Sequence, residues 1–286
     1  LGDRRLKMEL LDIIKNKLEF FTTDKFTFNE ETHTYMYGKK TFVSVTTFIK
    51  NFVKEFDTEY QSRKKAIKIL TEEGNELTEV NIKIYQNRLL TEWEDKKNVG
   101  CDLGSITHKT IEELLNNQPL TPILNDEASK RFLKFKKLYD SKIKDLIIPL
   151  GQEIRIFSEE LQLAGTIDCL VLRKHNDGVW RLEIWDWKTN KKMNSDKDKC
   201  WNKLLAPFNS EWENEVNKYS IQLNLYKLIL ASNGIYVDGE CVVVYIPPND
   251  DEPQIIRCKD YIQKLEMYFG NNYYTRLKNK FVKNEK

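Results

Sequence analysis

Ala164-Gly165-Thr166-Ile167-Asp168 and Ile184-Trp185-Asp186-Trp187-Lys188-Thr189-Asn190 decide the reading of this 286-residue chain. They give Gly-x-x-Asp and then Asp-x-Lys, each on an apolar run of strand character. Side chains alternate faces along a strand, so Asp186 and Lys188 project one way and Trp185 and Trp187 the other. Asp168 sits in a second run, Leu161 to Leu172. Between the runs, His175-Asn176-Asp177-Gly178 reads as a hairpin turn, because Asp-Gly supplies the positive-φ position. An antiparallel pair then brings Asp168 beside Asp186. Two carboxylates so placed suit a hard cation such as Mg²⁺ or Mn²⁺, one ion or two. Lys188, in the same site, can orient or help deprotonate an attacking water, or stabilise charge on a phosphate. Asp-x-Lys by itself is common on half-buried strands whose polar residues face solvent. The Gly-x-x-Asp and the hairpin ahead of it are what favour a metal site.

Two helical segments add to this. Gly104-Ser105-Ile106-Thr107-His108 runs on to Leu115 with Ile111, Leu114 and Leu115 at helical spacing. His108 and Glu112 are four apart and share a face. His108 is one of three histidines, and a neutral imidazole is a good additional metal ligand. Downstream, Tyr219 to Leu230 reads as an amphipathic helix with Gln222 and Tyr226 again four apart. These two can hold a phosphate or a base edge, or simply form a polar pair on that helix.

Taken in order, Gly-x-x-x-His on a helix, a strand with Glu153, Gly-x-x-Asp, Asp-x-Lys-Thr and Gln-x-x-x-Tyr on a helix resemble the RecB-like exonuclease branch of the PD-(D/E)XK nuclease superfamily. The resemblance covers about residues 100–246. It implies an α/β fold of restriction-endonuclease-like type, a central mixed β-sheet flanked by helices, with an N-terminal hairpin-plus-helices attachment. It implies His108, Asp168 and Asp186 as metal ligands, with the Trp187 carbonyl as a further one, and Lys188 as the catalytic lysine. Asp168 and Asp186 share the catalytic role with it. Glu153 and Glu112 are then placed behind the ligands, and Gln222 and Tyr226 beside the DNA path. One branch of the group holds an iron–sulfur cluster on four cysteines. Cys101, Cys169, Cys200, Cys241 and Cys258 are scattered without a C-x-x-C pair, which supports neither a cluster nor zinc. Phage and mitochondrial members of the group are the ones that the leading segment of this chain resembles.

That leading segment divides the chain at 99/100, with residues 1–99 as the attachment and 100–286 as the nuclease core with a C-terminal helix. Lys25-Phe26-Thr27-Phe28 and His33-Thr34-Tyr35-Met36-Tyr37 alternate like two strands around a turn. Lys39 to Val43 leads into Ser44-Val45-Thr46-Thr47, where Ser44 can cap a helix. Residues 57–70 and 79–97 read as two amphipathic helices, which either arch over the site and admit a single strand or merely cover the sheet. Beyond the core, Cys241 to Ile246 reads as a buried strand ended by Pro247-Pro248. Residues 255–258 read as an edge strand, and Tyr261 to Lys280 as one final helix.

Forty per cent hydrophobic residues allow a sizeable core, and no run approaches the ~20 apolar residues of a membrane span. Nothing at the start resembles a signal peptide, though Leu1 leaves the true start open. With five scattered cysteines this suggests reduced thiols in an intracellular protein, in the cytoplasm or nucleoid of a bacterium or phage-infected cell, with the mitochondrion left open. The abundance of lysine over arginine, with much asparagine and isoleucine, fits an AT-rich genome such as a phage's.

A net charge of +2 does not by itself indicate nucleic acid, so basic residues must be segregated. Arg63-Lys64-Lys65 with Lys68, Lys130-Arg131 with Lys134, Lys136 and Lys137, and Lys188 to Lys203 are the candidate patches. In the last, Thr189, Lys191 and Lys192 can track phosphates while Trp201 stacks on an unpaired base, a contact worth ~1–3 kcal/mol. The expectation is a Mg²⁺- or Mn²⁺-dependent DNase, an exonuclease acting on single strands or free ends in replication, recombination or repair. By resemblance its products bear a 5′ phosphate. No ATP-motor motif occurs, so a helicase or recombinase would act in trans. A structure-specific or site-specific endonuclease, an RNase and a non-catalytic nucleic-acid binder are the alternatives.

Overall fold

The computed structural model describes residues 11–198 and 200–284, so Leu1 and Lys199 lie outside the described residues. Alternating aromatic and polar residues form β1 (Phe26–Asn29), β2 (Thr34–Tyr37) and β3 (Lys40–Ser44). Successive antiparallel pairings join them. Ser44 then caps the short α1 (Val45–Phe48), its hydroxyl accepting from Thr47 N at 3.1 Å. The sequence pattern gave two strands here; the third is the one that ties the hairpin into the main sheet.

Two long helices follow. α2 (Thr58–Glu72) is capped by Asp57, and α3 (Glu79–Leu115) by Thr78. They pack on each other through Ala66 and Leu70 against Ile82 and Leu89, all buried. Gln86 bridges to Ser62 and Glu59. α3 is one helix of 37 residues where the sequence pattern suggested two. It passes unbroken through Gly100 and Gly104, so the division drawn at 99/100 falls inside a helix. About six turns of α3 separate one buried apolar face (Ile82, Leu89) from the next (Ile111, Leu115). α4 (Asp126–Leu138), capped by Asn125, packs beside its C-terminal end.

The central strands are β4 (Ile147–Ser158), β5 (Leu163–Lys174) and β6 (Trp180–Lys188). β5 pairs antiparallel with β4 along one edge. On its other edge it pairs first with β3, in parallel, at Leu163 and Ala164, and later with β6, antiparallel, from Cys169 onward. The 165–168 stretch is therefore a gap between two neighbours, and Asp168 sits at its mouth. The turn joining β5 to β6 is as the sequence indicated, with Gly178 at φ +81° and its N–H donating to His175 O.

α5 (Glu215–Ser232) crosses to β7 (Cys241–Tyr245), parallel to β6, and β8 (Gln254–Arg257) closes the edge. α5 is buried on all sides rather than amphipathic, because the sheet covers one face and C-terminal helices the other. Those are α6 (Ile262–Phe269) and α7 (Tyr273–Asn284). The single final helix expected from Tyr261 to Lys280 is thus broken: Gly270, at φ +62°, ends α6 in the left-handed conformation that favours glycine.

Apolar residues fill both faces of the mixed sheet. Trp185, Trp187, Cys169 and Val171 face α3 and α4, whereas Ile184, Leu170 and Ile167 face α5. No described helix is long and apolar enough to cross a membrane.

Candidate active site

The alternation of β6 puts the Trp185 and Trp187 side chains into the α3–α4 core, Phe135 meeting the Trp187 ring edge-on at 5.1 Å. Asp186 and Lys188 consequently point the opposite way. Where β6 splays from β5, the Asp168 carboxylate takes over from the ladder and accepts a hydrogen bond from Trp187 N at 2.9 Å. The carboxylate of one strand thus fixes the backbone of the next.

His108 approaches from α3, its Nδ1 3.4 Å from Asp168 Oδ2 and 4.0 Å from Glu153 Oε1. The preceding glycine of the motif explains this approach. A Cβ on Gly104 would lie 3.4 Å from Thr189 Oγ1, so this turn of α3 runs close against the end of β6. Glu153 lies opposite Asp168, between the pairs Gln152–Cys169 and Ile154–Ile167, and adopts φ +48°. A non-glycine residue in the left-handed region costs of order 1–3 kcal/mol and is characteristic of functional sites.

One ligand atom each from His108, Glu153 and Asp168 lie within 4.8 Å of one another, a group able to hold a metal ion. Glu153, placed behind the ligands by the sequence comparison, stands among them, whereas Asp186 is set to one side with Lys188. Lys188 Nζ is 2.5 Å from Asp186 Oδ2, a charge contact off the axis of a good hydrogen bond, and Asp186 Oδ1 is buried with no donor among the described residues. Buried carboxylate oxygens lacking donors, beside two more acids and an imidazole, fit a divalent cation's preference for oxygen and nitrogen donors.

The electrostatics point the same way. Burial, then the nearby Asp168, Glu112 and Asp186 charges, raise the Glu153 pKa to about 8. Burial also raises Asp168 and, with the Asp168 charge, Asp186. Burial and the Lys188 ammonium lower His108 to about 4, leaving a neutral imidazole. For Lys188, burial works against the ammonium, but Asp186 and Asp168 outweigh it and hold the pKa up. A lysine so held carries its charge beside the two carboxylates, where it can stabilise charge on a phosphate or orient a water.

Gln222 and Tyr226 reach the site from α5, with Gln222 Nε2 donating to Tyr226 Oη at 3.1 Å. With Gly165, Thr166, Asp168 and Glu153 they border a cavity of about 260 Å³. On the other side a groove of about 1010 Å³ opens, walled by α3 from Trp93 to Leu103 and by Lys188, Thr189, Lys191 and Tyr219. Tyr219 carries a signal that the motif reading passed over: it shares a face with Gln222 and Tyr226 at i, i+3 and i+7. Its ring lies 4.8 Å from Lys188 Nζ. Trp93, more than three turns before His108 on α3, had no local signal.

The basic patches fare differently. Lys191 lines the groove, but Lys192 and Trp201 do not, and Trp201 is 82% exposed outside it. In the 130–137 patch, Arg131 binds Glu127 and Thr189 O, Lys136 pairs with Asp140 and Lys137 with Glu252. Arg131 also lines the groove, whereas the Lys136 and Lys137 pairs lie on the surface. Arg63 and Lys68 likewise pair with Glu79 and Glu72.

The family model for the PD-(D/E)XK nuclease superfamily matches residues 84–269, from α3 through the sheet to α6. The chain belongs to the PD-(D/E)XK nuclease superfamily. The chain is also similar, at 28% identity over 163 residues, to a GMP synthase [glutamine-hydrolyzing] of Acetivibrio thermocellus. That match covers 55% of this chain and 32% of the synthase, so the chain spans about a third of that curated relative's length. Members of this superfamily are in general metal-dependent nucleases, and the His108, Glu153 and Asp168 group is one that could hold a divalent ion.

Proposed function

We propose that this chain is a Mg²⁺- or Mn²⁺-dependent exodeoxyribonuclease that acts on single strands or free ends. The observation that carries this reading is the groove that runs along α3 from Trp93 to His108 and Lys188. Trp93 and Tyr219 offer rings along it, and Lys191 offers a cation, as do Lys96 and Lys97, which lie beside Glu92 and Glu94 as exposed surface pairs. Rings that stack on unpaired bases and lysines that track phosphates suit a single strand better than a stacked duplex. A helicase or recombinase acting in trans would supply such strands from duplex DNA.

His108, Glu153 and Asp168 would hold the ion, with Asp186 and the Trp187 carbonyl beside them. Bound there, it supplies Lewis-acid polarisation of the phosphate and a more acidic water. Lys188, kept protonated by Asp186, stabilises charge on the phosphate and orients the water. Asp168 holds the Trp187 backbone, and with it the direction of Asp186 and Lys188. Gln222 and Tyr226 border the scissile position, and the products carry a 5′ phosphate.

The test is digestion of end-labelled single- and double-stranded DNA, linear and circular, with Mg²⁺, Mn²⁺ or EDTA. Metal-dependent loss of linear single strands with circles spared is expected. Degradation of circular single strands would overturn the exonuclease assignment, and activity that persists in EDTA would overturn the metal assignment.

A further inference from the structure

We propose that Phe28, His33 and Arg155 form a nucleotide subsite that binds the phosphate and base next to the scissile bond, on the side of the metal-ligand group away from the groove. The proposal rests on the nuclease reading. Glu153 lies at the junction of two cavities. One, of about 260 Å³, is walled by Phe28 and His33; the other, of about 640 Å³, by Phe28 and Arg155. Substrate that reaches the ligand group from the groove meets this corner next.

Arg155 follows Glu153 by two residues on β4, about 6.6 Å along a strand, a spacing comparable with successive phosphates of an extended chain. Its side chain differs from most of the other described arginines, Arg276 over the Tyr273 ring excepted. Arg63, Arg88, Arg131, Arg173, Arg181 and Arg257 each hold a carboxylate. Exposed Arg155 holds none among the described residues; its guanidinium lies 5.6 Å from the centre of the Phe28 ring. A guanidinium held on a ring with its donors unspent is arranged to take a phosphate in a forked pair of hydrogen bonds.

His33 supplies the base contact. It sits at the tip of the β1–β2 hairpin at φ +51°, exposed, with its imidazole edge-on to Phe28 at 5.2 Å. Nucleobases stack on imidazole and phenyl rings without regard to sequence. The hairpin is not free to drift, because Tyr35 Oη bonds Thr166 Oγ1 at 2.9 Å, two residues from Asp168. The wall that carries His33 and Phe28 is therefore registered against the ligand group.

The test uses the full chain and a single-stranded oligodeoxynucleotide carrying 2-aminopurine at its terminal positions, with binding followed in EDTA over a range of salt. Arg155→Ala is expected to weaken binding about tenfold and to lower the slope of log affinity against log salt by about 0.7. Arg155→Lys should restore the slope while recovering only part of the affinity. His33→Ala should reduce quenching of the 2-aminopurine and, in metal, raise KM without changing kcat. Wild-type affinity and salt slope in Arg155→Ala, or unchanged quenching in His33→Ala, would overturn the proposal, as would a lowered melting temperature that accounts for the loss. Because binding is read without metal, it stands or falls separately from the cleavage that tests the nuclease reading.

Discussion

The Tyr226 ring occupies the place that a side chain at position 165 would need: an ideal Cβ built on Gly165 lies 2.5 Å from Tyr226 Cε1. The first residue of Gly-x-x-Asp and the last of Gln-x-x-x-Tyr are therefore one packing contact. Tyr226 is buried, and its hydroxyl accepts from Gln222. The glycine lets α5 close against β5, and that closeness brings Gln222 to the cavity beside Asp168.

Gly165→Ala should accordingly destabilise the fold by about 1–3 kcal/mol, the usual cost of forcing a methyl group into a filled site. It should also lower cleavage by shifting Asp168. A double-mutant cycle with Tyr226→Ala, read by urea unfolding, checks the cause, since the Gly165→Ala cost should shrink once the ring is gone. Equal costs in both backgrounds would place the strain elsewhere.

Asp186→Ala and Lys188→Ala should each abolish metal-dependent cleavage while DNA binding survives. The two charges answer each other across 2.5 Å. Removing the carboxylate leaves a buried ammonium, and removing the ammonium leaves two buried acids facing each other. Wild-type cleavage in either variant would show that the site assignment is wrong.

Much of this site could be read before any coordinates, and the reason is local. Asp168, Asp186 and Lys188 are fixed by strand alternation and a hairpin, both of which depend on neighbouring residues. His108, Gln222 and Tyr226 were located by helical spacing, although that spacing did not show that α3 is one helix or that α5 is buried all round. What escaped was set by distant contacts. Glu153 joins the ligand group because β4 pairs with β5 in a register set after the shift between Pro149 and Gly151, which no pattern announces and which places Glu153 opposite Asp168. Trp93 reaches the groove only because the helix never breaks at Gly100. Trp201 looked apt as an aromatic in a basic run, yet the loop carries it away from the groove.

Metal-free protein should lose stability as pH rises from about 6.5 to 8. Burial and neighbouring acids raise the Glu153 pKa to about 8, so the folded state holds a proton that the unfolded chain, with its ordinary carboxylate, has already released. Stability falls with pH wherever the folded state binds more protons. His108, lowered to about 4, acts in the opposite sense, but only up to its ordinary value of 6.5, above which both states are neutral. Glu153→Gln should flatten the decline, and Mn²⁺ should reverse it, since ligation favours the deprotonated site. Urea unfolding across this pH window, with and without the ion, is the measurement; a decline that persists in Glu153→Gln would assign it to other groups.

Trp93→Ala should weaken binding of single-stranded DNA by about 1–3 kcal/mol, the range for loss of a base–aromatic stack, whereas Trp201→Ala should change it by less than about twofold. Both tryptophans lie near lysines in sequence, so charge patterning does not separate them. Trp93 lines the groove that leads to Lys188, and Trp201 does not. Phe56 packs beside the Trp93 ring with centroids 6.1 Å apart, and Lys65 Nζ lies 5.7 Å from the ring centre. The ring is thus held by the α2–α3 arm while it faces the groove. Fluorescence anisotropy with a labelled oligonucleotide in EDTA distinguishes the two variants. If Trp201→Ala proves the more damaging, the strand follows the 189–214 loop and not the arm.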